Sequence, residues 1–438
     1  MSAGIDAVRA DRLVREHLQL TSDRLTIGSG TDQLTIDLSR GSLYVVGAGK
    51  ASAAMAQACE ALLGDRIAGG VIATKHGHAL PLARIRTIES GHPVPDAQSI
   101  QAGRAILECC RGLGAEDTLL YLASGGGSAL AEVPIAGLGG DDATALSALQ
   151  ELTGALLKAG ADIGEVNTVR RALSAFKGGG VLDAAASAQV VTLAISDVIG
   201  DDPQTISSGP TIKPVGGKNP TAAATILVAY GLGDLAAARA LATQAEDLGR
   251  SETSSVGPTP VYHIIGRNRK ATLTAATTAE SLGYRVVHLG SRIEGEAREA
   301  ARTLLAIGSA AVAGELDEQL PRPLCILAGG ETTVTVRGSG KGGRNQEMAL
   351  AALIQLQRQP ESADSLCFVA IGTDGTDGPT DAAGGYADST AATASAMAAN
   401  ERALADNDSY PALKAAGALI TTGPTQTNVG DLYMVLAI

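Results

Sequence analysis

The sequence predicts a two-domain α/β protein, with a parallel sheet in the first domain and a second α/β domain after it. Three observations support this fold class. Short apolar runs recur along nearly the whole chain, and they have the composition of strands that are buried on both faces. Each run ends in Gly, Ser, Thr or Asp and leads into an Ala-rich helical stretch, which is typical of βαβ units. A polar segment with Pro and Gly separates two such series.

The apolar runs give the predicted strands, and the stretches after them give the helices. The strands are expected at residues 43–48, 70–74, 118–124, 190–196, 261–266, 284–290, 324–330 and 366–372. The clearest helical patterns are residues 50–63 and 268–283. The polar segment at residues 250–260 divides the chain into a first domain, residues 1–250, and a second, residues 258–438. A cleft between two α/β domains is the expected place for a ligand.

Composition excludes several classes of function. The 438 residues include 34 Lys and Arg against 46 Asp and Glu, a net charge of −12, and the chain is 2% aromatic with no Trp. A nucleic-acid partner is not expected, because the residues that neutralise phosphates and stack on bases are scarce. No apolar run reaches the roughly 20 residues that span a bilayer, and the N-terminus lacks the apolar core of a signal peptide. Five cysteines, an odd number without the spacing of metal ligands, indicate reduced thiols and a cytoplasmic location.

Lys50 follows the first predicted strand, residues 43–48. The run VVGAGKASAAMA contains Gly47 and Gly49, but Ser52 stands where a dinucleotide fingerprint needs a third glycine. The next strand ends at Lys75, with no acid to hold a ribose hydroxyl. Lys50 lies in the first turn of the following helix, where a cation opposes the helix dipole unless an anion is bound in front of it. Lys50 is therefore predicted to bind an anion; the alternative is a solvated surface lysine.

A second anion loop is predicted in LASGGGSAL, residues 122–130. Consecutive glycines let backbone N–H groups converge on a phosphate or carboxylate at a helix start. The alternative is a tight strand–helix turn, which usually needs only one glycine. The candidate binding residues are Gly49 of the first loop and Ser124, Gly125, Gly126, Gly127 and Ser128 of the second.

Carboxylates follow two other predicted strands and are candidate Mg²⁺ ligands. The first group lies in residues 194–211 and the second in residues 371–385. Mg²⁺ keeps several waters and needs only one or two protein oxygens, so single aspartates at strand ends suit it. Helix capping is the alternative for the first group and an Asp- and Gly-rich turn for the second. The predicted metal ligands are Asp197, Asp202, Asp374 and Asp377, and Asp201 and Asp381 lie beside them.

The glycine-rich stretch at residues 329–351 gathers positive charge in an acidic chain. Arg337, Lys341 and Arg344 lie here, and Arg344 stands at the entry of a predicted helix. Such a cluster indicates a polyanionic ligand, to which Arg can bind in a bidentate manner, although Lys341 could simply be solvated. His92, before a Pro-restricted turn, is a candidate hydrogen-bonding contact. No P-loop, GxSxG, HExxH or protein-kinase motif is present, yet this set of residues is typical of phosphoryl transfer.

Taken together, these motifs resemble the glycerate 2-kinase family whose C-terminal part is called the MOFRL domain. The resemblance covers nearly the whole chain and rests on these segments, in this order: GAGKASAAMA, GHPVPD, LASGGGSAL, NTVRRALSAFKGGG, SDVIGDDPQTISSGPT, GGETTVTVRGSGKGGRNQE, GTDGTDGPTDAAGG and TTGPTQTNVGDL. It implies a Rossmann-like first domain and an α/β second domain around an interdomain cleft. The implied reaction is ATP-dependent phosphorylation of D-glycerate at its 2-hydroxyl, giving 2-phosphoglycerate and ADP, with a divalent cation such as Mg²⁺.

The resemblance also implies roles for individual residues. The family's active-site lysine and arginine correspond to Lys50 and Arg344, while Asp197 is expected to act either as proton acceptor or as metal ligand. ATP phosphates are expected on the two glycine-rich loops and Lys341. Gln426 and Gly430 depart from the family pattern and leave the contacts of the last loop open. A homodimer also remains open.

Two other hypotheses belong to different classes of protein. Relatives often carry the name hydroxypyruvate reductase, so an NAD(P)H-dependent reductase is the alternative. The incomplete dinucleotide fingerprint argues against it. A non-catalytic anion-binding protein is the third hypothesis, and it leaves the aspartate groups without a purpose.

Overall fold

The computed structural model describes residues 1–30, 32–215, 217–248, 259–316 and 322–438, and it divides the chain into two compact units. The first unit comprises residues 10–265. The second unit comprises residues 266–438 together with residues 1–9. Most of the predicted linker at residues 250–260 lies outside the described residues. The predicted domains were residues 1–250 and 258–438. The first unit instead begins at residue 10 and ends at residue 265.

The first unit contains a small antiparallel meander, a larger sheet and the helices that cover it. Its strands are β1 (Leu18–Thr21), β2 (Arg24–Ser29), β3 (Asp32–Asp37), β4 (Leu43–Ala48), β5 (Ile67–Lys75), β6 (Arg86–Ser90), β7 (Thr118–Ser124), β8 (Gln189–Ile195) and β9 (Val261–Gly266), whose last residue already belongs to the second unit. The first helix of the chain, α1 (Ser2–Ala7), belongs to the second unit. The helices of the first unit are α2 (Ala10–His17), α3 (Ser52–Leu63), α4 (Ala97–Arg111), α5 (Gly127–Leu130), α6 (Asp142–Ala159), α7 (Ile163–Ala172), α8 (Gly180–Ala184), α9 (Pro220–Ala229) and α10 (Ala236–Leu248). Short 3₁₀ turns span Gly64–Arg66 and Ile206–Ser208.

The larger sheet of the first unit has the strand order β6-β5-β4-β7-β8-β9. Strands β6, β5, β4, β7 and β8 pair in parallel, so their carboxyl ends share one edge of the sheet. From β4 the chain adds β5 and β6 on one side, and it then returns to add β7 and β8 on the other side of β4. The position between β4 and β7 is therefore the topological switch point, where ligands bind in open α/β sheets. This sheet therefore places the loops after β4, β7 and β8 side by side.

The second unit is built on another six-stranded sheet. Its remaining helices are α11 (Asn268–Ser281), α12 (Ala297–Ala313), α13 (Arg344–Arg358), α14 (Pro360–Ala363), α15 (Ser389–Ala394), α16 (Met397–Ala405) and α17 (Ser409–Ala415). Its strands are β10 (Arg285–His288), β11 (Leu324–Gly330), β12 (Leu366–Gly372), β13 (Gly384–Ala387), β14 (Leu419–Ile420) and β15 (Asp431–Ala437). The strand order is β10-β11-β15-β12-β13-β14.

Strand β15, formed by the end of the chain, lies between β11 and β12 and runs antiparallel to both. Strand β11 also pairs in parallel with β10, so the second sheet is mixed. A buried central strand has the same composition whichever way its neighbour runs, so composition does not distinguish the two cases. The antiparallel register brings Asp431, the first residue of β15, opposite Gly330 and Gly372.

The α/β fold class predicted from the sequence is confirmed. Predicted strands at residues 43–48, 118–124, 324–330 and 366–372 have the bounds of β4, β7, β11 and β12. The meander β1–β3 was not predicted, since its strands are short and carry many polar residues. Within the described residues, no helix combines the length and the apolar character needed to cross a membrane.

The core contains few aromatic residues and depends on close helix–sheet packing. Helix α13 is buried over most of its length, from Asn345 to Ile354, because it lies against the second sheet beneath other helices. Small residues allow the helices to pack closely against the sheet. A Cβ at Gly308, on α12, would lie 2.6 Å from a side-chain carbon of Val435.

Candidate active site

The loops that follow β4, β7 and β8 meet at the carboxyl edge of the first sheet. The backbone N–H of Lys50 donates to the carbonyl of Gly125 at 2.9 Å, and the N–H of Ala51 donates to Ser124 Oγ at 3.0 Å. Gly49 lies so close to β7 that a Cβ on it would be 2.0 Å from Ser124 Oγ. The first two predicted anion loops are therefore one hydrogen-bonded structure, with Lys50 at its centre.

The side chains of two candidate site residues lie against Gly126. Its backbone is left-handed, with φ of +83°. A Cβ at this position would lie 2.8 Å from Cδ2 of His92 and 3.4 Å from Cγ of Lys50. The imidazole of His92 and the stem of Lys50 thus contact the same glycine. His92, predicted only as a hydrogen-bonding contact, belongs to this site.

The loop after β8 packs on the glycine-rich loop through two serines. Ser207 Oγ donates to the carbonyl of Ser124 at 2.9 Å, and the hydroxyls of Ser208 and Ser128 are 2.9 Å apart. Ser207 and Ser208 have φ of +52° and +62°, which L-residues rarely adopt. Such strain costs about 1–3 kcal/mol per residue and persists where surrounding contacts hold it, often at functional sites.

The two predicted metal ligands of this loop are in different surroundings. Asp197 follows the buried end of β8 and is partly buried. Asp202 is exposed, and its two oxygens accept from the N–H of Gln204 at 3.0 Å and from Thr205 Oγ1 at 2.9 Å. These contacts place the Asp202 side chain in an Asx turn of its own loop. The roles of Asp197 and Asp202 stay predictions.

In the second unit, Arg344 is the first residue of α13 and is held by two acids. Its Nε and Nη2 donate to Oδ2 and Oδ1 of Asp431 at 2.6 and 3.0 Å, and its Nη1 lies 2.8 Å from Oε1 of Glu331. Asp431 is fully buried, whereas the Arg344 side chain is 32% exposed. Burial alone would lower the pKa of Arg344, but the Asp431 carboxylate raises it well above its ordinary value. Arg344 is thus a permanently charged, oriented guanidinium.

Asp377 is engaged with the start of the same helix. It accepts hydrogen bonds from the backbone N–H of Asn345 at 3.2 Å and of Gln346 at 2.8 Å, and from Gln346 Nε2 at 2.9 Å. Burial raises the pKa of Asp377 to about 6, although these N–H groups favour the ionised form. The contacts give it the role of a helix cap. Asp374, also buried, accepts from the N–H of Thr376 at 3.0 Å.

Lys341 lies in the glycine-rich loop before α13 and contacts an aromatic ring. Its Nζ is 4.8 Å from the centre of the Tyr410 ring, a cation–π distance. Its backbone N–H donates to Oδ1 of Asp408 at 2.8 Å. Neighbouring residues hold the rest of the loop, since Asn407 Oδ1 accepts from the N–H of Arg337 at 2.7 Å. The proposed contact between Lys341 and ATP stays a prediction.

In the part of the chain that the structure describes, no group of three or more His, Cys, Asp or Glu side chains is arranged to hold a metal ion. The prediction for Mg²⁺ involved one or two aspartates at a time, so the assignments to Asp197, Asp202, Asp374 and Asp377 stay predictions. The five cysteines are unpaired and are buried or partly buried.

Sequence reasoning missed a buried ion pair near the glycine-rich loop. Lys177 is fully buried and pairs with Glu132, which is 4% exposed. Burial and the nearby charge of Lys218 lower the pKa of Lys177 to about 7. Lys218 donates to the carbonyl of Ser174 at 2.7 Å. The available signal was a lysine directly before three glycines, in SAFKGGG, at a position where an apolar residue would be expected to pack.

Comparison with known proteins agrees with this architecture. Residues 1–243 match a domain of unknown function, DUF4147, and residues 324–431 match the MOFRL family. A crystal structure of a glycerate kinase from Thermotoga maritima superposes with a TM-score of 0.81 at 37% identity, covering 100% of this chain and 97% of that one.

Similar sequences carry two kinds of name. A D-glycerate 2-kinase of Thermotoga maritima is 40% identical over 99% of this chain and 96% of its own length. A glycerate 2-kinase of Pyrococcus horikoshii is 36% identical, over 99% and 94%. A protein of Agrobacterium vitis named "Putative hydroxypyruvate reductase" is 41% identical, over 91% and 87%. With near-complete coverage at this identity, and with both family matches in order, the chain belongs to the glycerate 2-kinase family.

Proposed function

We propose that the protein phosphorylates D-glycerate at its 2-hydroxyl, using ATP and giving 2-phosphoglycerate and ADP. The observation that carries this proposal is the position of Lys50 beside a glycine-rich loop at a sheet switch point. Its N–H donates to the Gly125 carbonyl, and the N–H of the next residue, Ala51, donates to the Ser124 hydroxyl. Such loops at the carboxyl edge of a parallel sheet bind phosphates or carboxylates. Names of relatives with near-complete coverage support the choice of glycerate as acceptor.

The glycine-rich loop and Lys50 would bind the phosphates of ATP. Gly126 has no side chain, so the polar side chains of His92 and Lys50 can lie against its backbone. A fixed cation stabilises the charge that develops on the transferring phosphoryl group without reorganisation during the reaction. Gly49, Ser124, Gly125, Gly127 and Ser128 would build the cradle around it.

The chemical step needs a proton acceptor for the 2-hydroxyl. The hydroxyl oxygen forms a bond to the γ-phosphorus, the bond from that phosphorus to the β-phosphate oxygen breaks, and the hydroxyl proton passes to a carboxylate. Asp197, at the end of β8, is the proposed acceptor. His92 would orient the acceptor substrate by a hydrogen bond.

Arg344 is the proposed second stabilising cation. Its two hydrogen bonds to Asp431 fix the plane of the guanidinium before any ligand binds. A preoriented guanidinium loses little conformational freedom on contact with a phosphoryl group. This role makes Asp431 a positioning residue for Arg344.

Asp374 is the proposed Mg²⁺ ligand, because Asp197 is assigned as the proton acceptor. Asp374 follows the end of β12 and would offer a single carboxylate oxygen, which suits an ion that keeps most of its waters. When bound, Mg²⁺ neutralises phosphate charge and orients the nucleotide.

The direct test is to incubate the protein with D-glycerate, ATP and Mg²⁺ and to identify the product by ³¹P and ¹H NMR. The expected product is 2-phosphoglycerate, formed in step with ADP. Formation of 3-phosphoglycerate would contradict the proposed regiochemistry, and absence of any phosphoglycerate would contradict the proposed activity.

The name of the Agrobacterium vitis relative makes hydroxypyruvate reduction the second candidate. The structure offers little to a dinucleotide here, since Ser52 is buried and its hydroxyl donates to the carbonyls of Gly49 and Ala73 at 2.7 and 2.6 Å. The same protein with hydroxypyruvate and NADH or NADPH should show no oxidation of the cofactor at 340 nm. Oxidation of NADH or NADPH in the absence of ATP would favour hydroxypyruvate reduction over the proposed kinase activity. A cytoplasmic location and a homodimer remain predictions.

A further inference from the structure

Two basic side chains approach Gly178 in the glycine turn that follows α7, and two more basic residues lie close to that turn in the chain. Arg170 and Arg171 lie in the last turn of that helix, and Lys177 and Lys218 come from the segments beyond it. A Cβ at Gly178 would lie 3.4 Å from Cε of Lys218 and 3.5 Å from Cδ of Arg171. We call Arg170, Arg171, Lys177 and Lys218 the basic cluster.

The acids near the basic cluster do not balance it. Glu132 pairs with Lys177, and Asp202 and Asp183 act on Arg171 and Lys218 only as nearby charges. Asp183 itself pairs with Lys213 at 2.8 Å. Arg170 forms no hydrogen bond or ion pair with any other described residue. Three of the four cations therefore lack a direct carboxylate partner among the described residues.

Burial makes this excess of charge costly. Arg170, Arg171 and Lys218 are partly buried. Burial lowers the pKa of Arg170, and it lowers the pKa of Lys218 to about 8 although Asp183 opposes the change. Like charges withdrawn from water are unfavourable unless an anion accompanies them. A helix dipole could account for the two arginines, which lie at a helix C-terminus, but Lys218 does not belong to that helix.

Hydrogen bonds connect the basic cluster to the candidate active site. The N–H groups of Gly178 and Gly179 donate to the carbonyls of Ser208 and Gly209 at 3.0 and 2.8 Å. Ser208 in turn contacts Ser128 of the glycine-rich loop. One short strained turn, residues 207–209, thus lies between the basic cluster and that loop.

The same contacts indicate which anion would bind. Phosphates in proteins are often held by converging backbone N–H groups, but those of Gly178 and Gly179 are already used. The basic cluster offers side-chain donors instead, and the planar fork of Arg matches a carboxylate in a bidentate manner. The glycine-rich loop remains available for phosphates.

We propose that Arg170, Arg171 and Lys218 bind the carboxylate of the acceptor acid beside the glycine-rich loop. This inference rests on the proposed function, because it assigns the acceptor of that reaction to a particular set of residues. Lys177, neutralised by Glu132, supports the glycine turn and does not contact the ligand.

The test is isothermal titration of D-glycerate, and separately of ATP, into wild type and into Arg170→Gln, Arg171→Gln and Arg171→Lys. Each Gln variant should raise the Kd for D-glycerate by about tenfold to a hundredfold and leave the Kd for ATP within about twofold. Arg171→Lys keeps the charge but loses the fork, so its loss should be intermediate. Lys158→Gln is the matched control, since it removes an exposed cation from the last turn of α6. Thermal unfolding of each variant verifies that the fold is intact.

Other outcomes separate this inference from the proposed function. Wild-type affinity for D-glycerate in both Gln variants would overturn the inference, and so would a loss of ATP affinity alone or the absence of D-glycerate binding to wild type. Wild type that binds D-glycerate but transfers no phosphate would contradict the proposed function and leave the carboxylate site standing.

Discussion

The guanidinium of Arg344 forms two hydrogen bonds with the fully buried carboxylate of Asp431, from Nε at 2.6 Å and from Nη2 at 3.0 Å. The pair joins the first residue of α13 to the first residue of β15, two elements far apart in the chain. Asn268 Nδ2 donates to the Asp431 carbonyl at 2.8 Å and thereby fixes the backbone of the acid as well. The orientation of the cation is thus determined by the packing of the sheet.

Asp431→Asn should impair both stability and turnover. It leaves Arg344 without its buried counter-charge, so we expect a loss of about 2–4 kcal/mol in the free energy of unfolding and a decrease in kcat of at least about tenfold. Urea unfolding and steady-state kinetics measure the two effects. Glu331→Gln is the control, because Glu331 is 40% exposed and its ion pair should contribute less than about 1 kcal/mol. Equal effects of the two substitutions would contradict this prediction.

Lys50→Ala should abolish most of the activity without unfolding the protein. The backbone hydrogen bonds of Lys50 to Gly125 and of Ala51 to Ser124 do not depend on the Lys50 side chain, so the fold should persist. We expect kcat to fall by about 10²–10³-fold, the usual effect of removing a group that stabilises transition-state charge. The measurement is a coupled assay of ADP release, with circular dichroism as the check on folding. A variant that retains near-normal turnover would remove Lys50 from the catalytic residues.

Gly126→Ala should disturb the site through both its backbone and its new methyl group. The left-handed backbone costs an L-residue about 1–2 kcal/mol, and the added Cβ would press on the His92 ring at 2.8 Å. We expect a loss of stability of about 2 kcal/mol together with a several-fold rise in the KM for ATP. Gly160→Ala is a matched control, since Gly160 has nearly the same φ, +84°, but nothing within 4 Å of its Cβ position. That control should lose stability alone, and a similar kinetic defect in it would refute the steric argument.

The Asp377 carboxyl should titrate with a midpoint near pH 6. Its pKa rises from 3.8 to about 6 on folding, so the folded state binds the proton more tightly than the unfolded chain. The stability contributed by this group is therefore full below its unfolded pKa and is lost as pH rises through about 6.

The measurement compares the unfolding free energies of wild type and Asp377→Asn, which does not titrate. The difference, wild type minus variant, should decrease by up to about 3 kcal/mol between about pH 4 and pH 7. A difference that stays constant or increases over this range would contradict the raised pKa.

Local patterns predicted the strands well where each strand was a near-continuous apolar run that ended in a polar or small residue. Strands β4, β7, β11 and β12 have this form. The order of strands in the second sheet was not predictable in this way, because β15 pairs with strands more than 50 residues away along the chain. Periodicity reports burial and says nothing about which distant strand is the neighbour.

In the candidate site, too, the residues that follow local sequence rules could be predicted and those that depend on long-range pairing could not. Lys50 and the glycine-rich loop could be proposed because helix starts after parallel strands follow a local rule. Asp431 could not, since a lone acid at the start of a strand becomes significant only when the sheet brings it to Arg344. Lys177 and Glu132 were missed for a related reason. Their ion pair joins residues 45 positions apart, so no local spacing in the sequence indicates it.

Helix α1 has a consequence for how this protein can be divided. A Cβ on Gly4 would be 2.6 Å from the Ala271 carbonyl, and Thr427 Oγ1 donates to the Val8 carbonyl at 2.5 Å. The opening nine residues therefore complete a body whose other members begin at position 266. A fragment excised at that position would lack its own first helix and would expose the face of α11 on which that helix rests. A chimera that exchanges this unit between relatives would therefore have to carry both segments, residues 1–9 and 266–438.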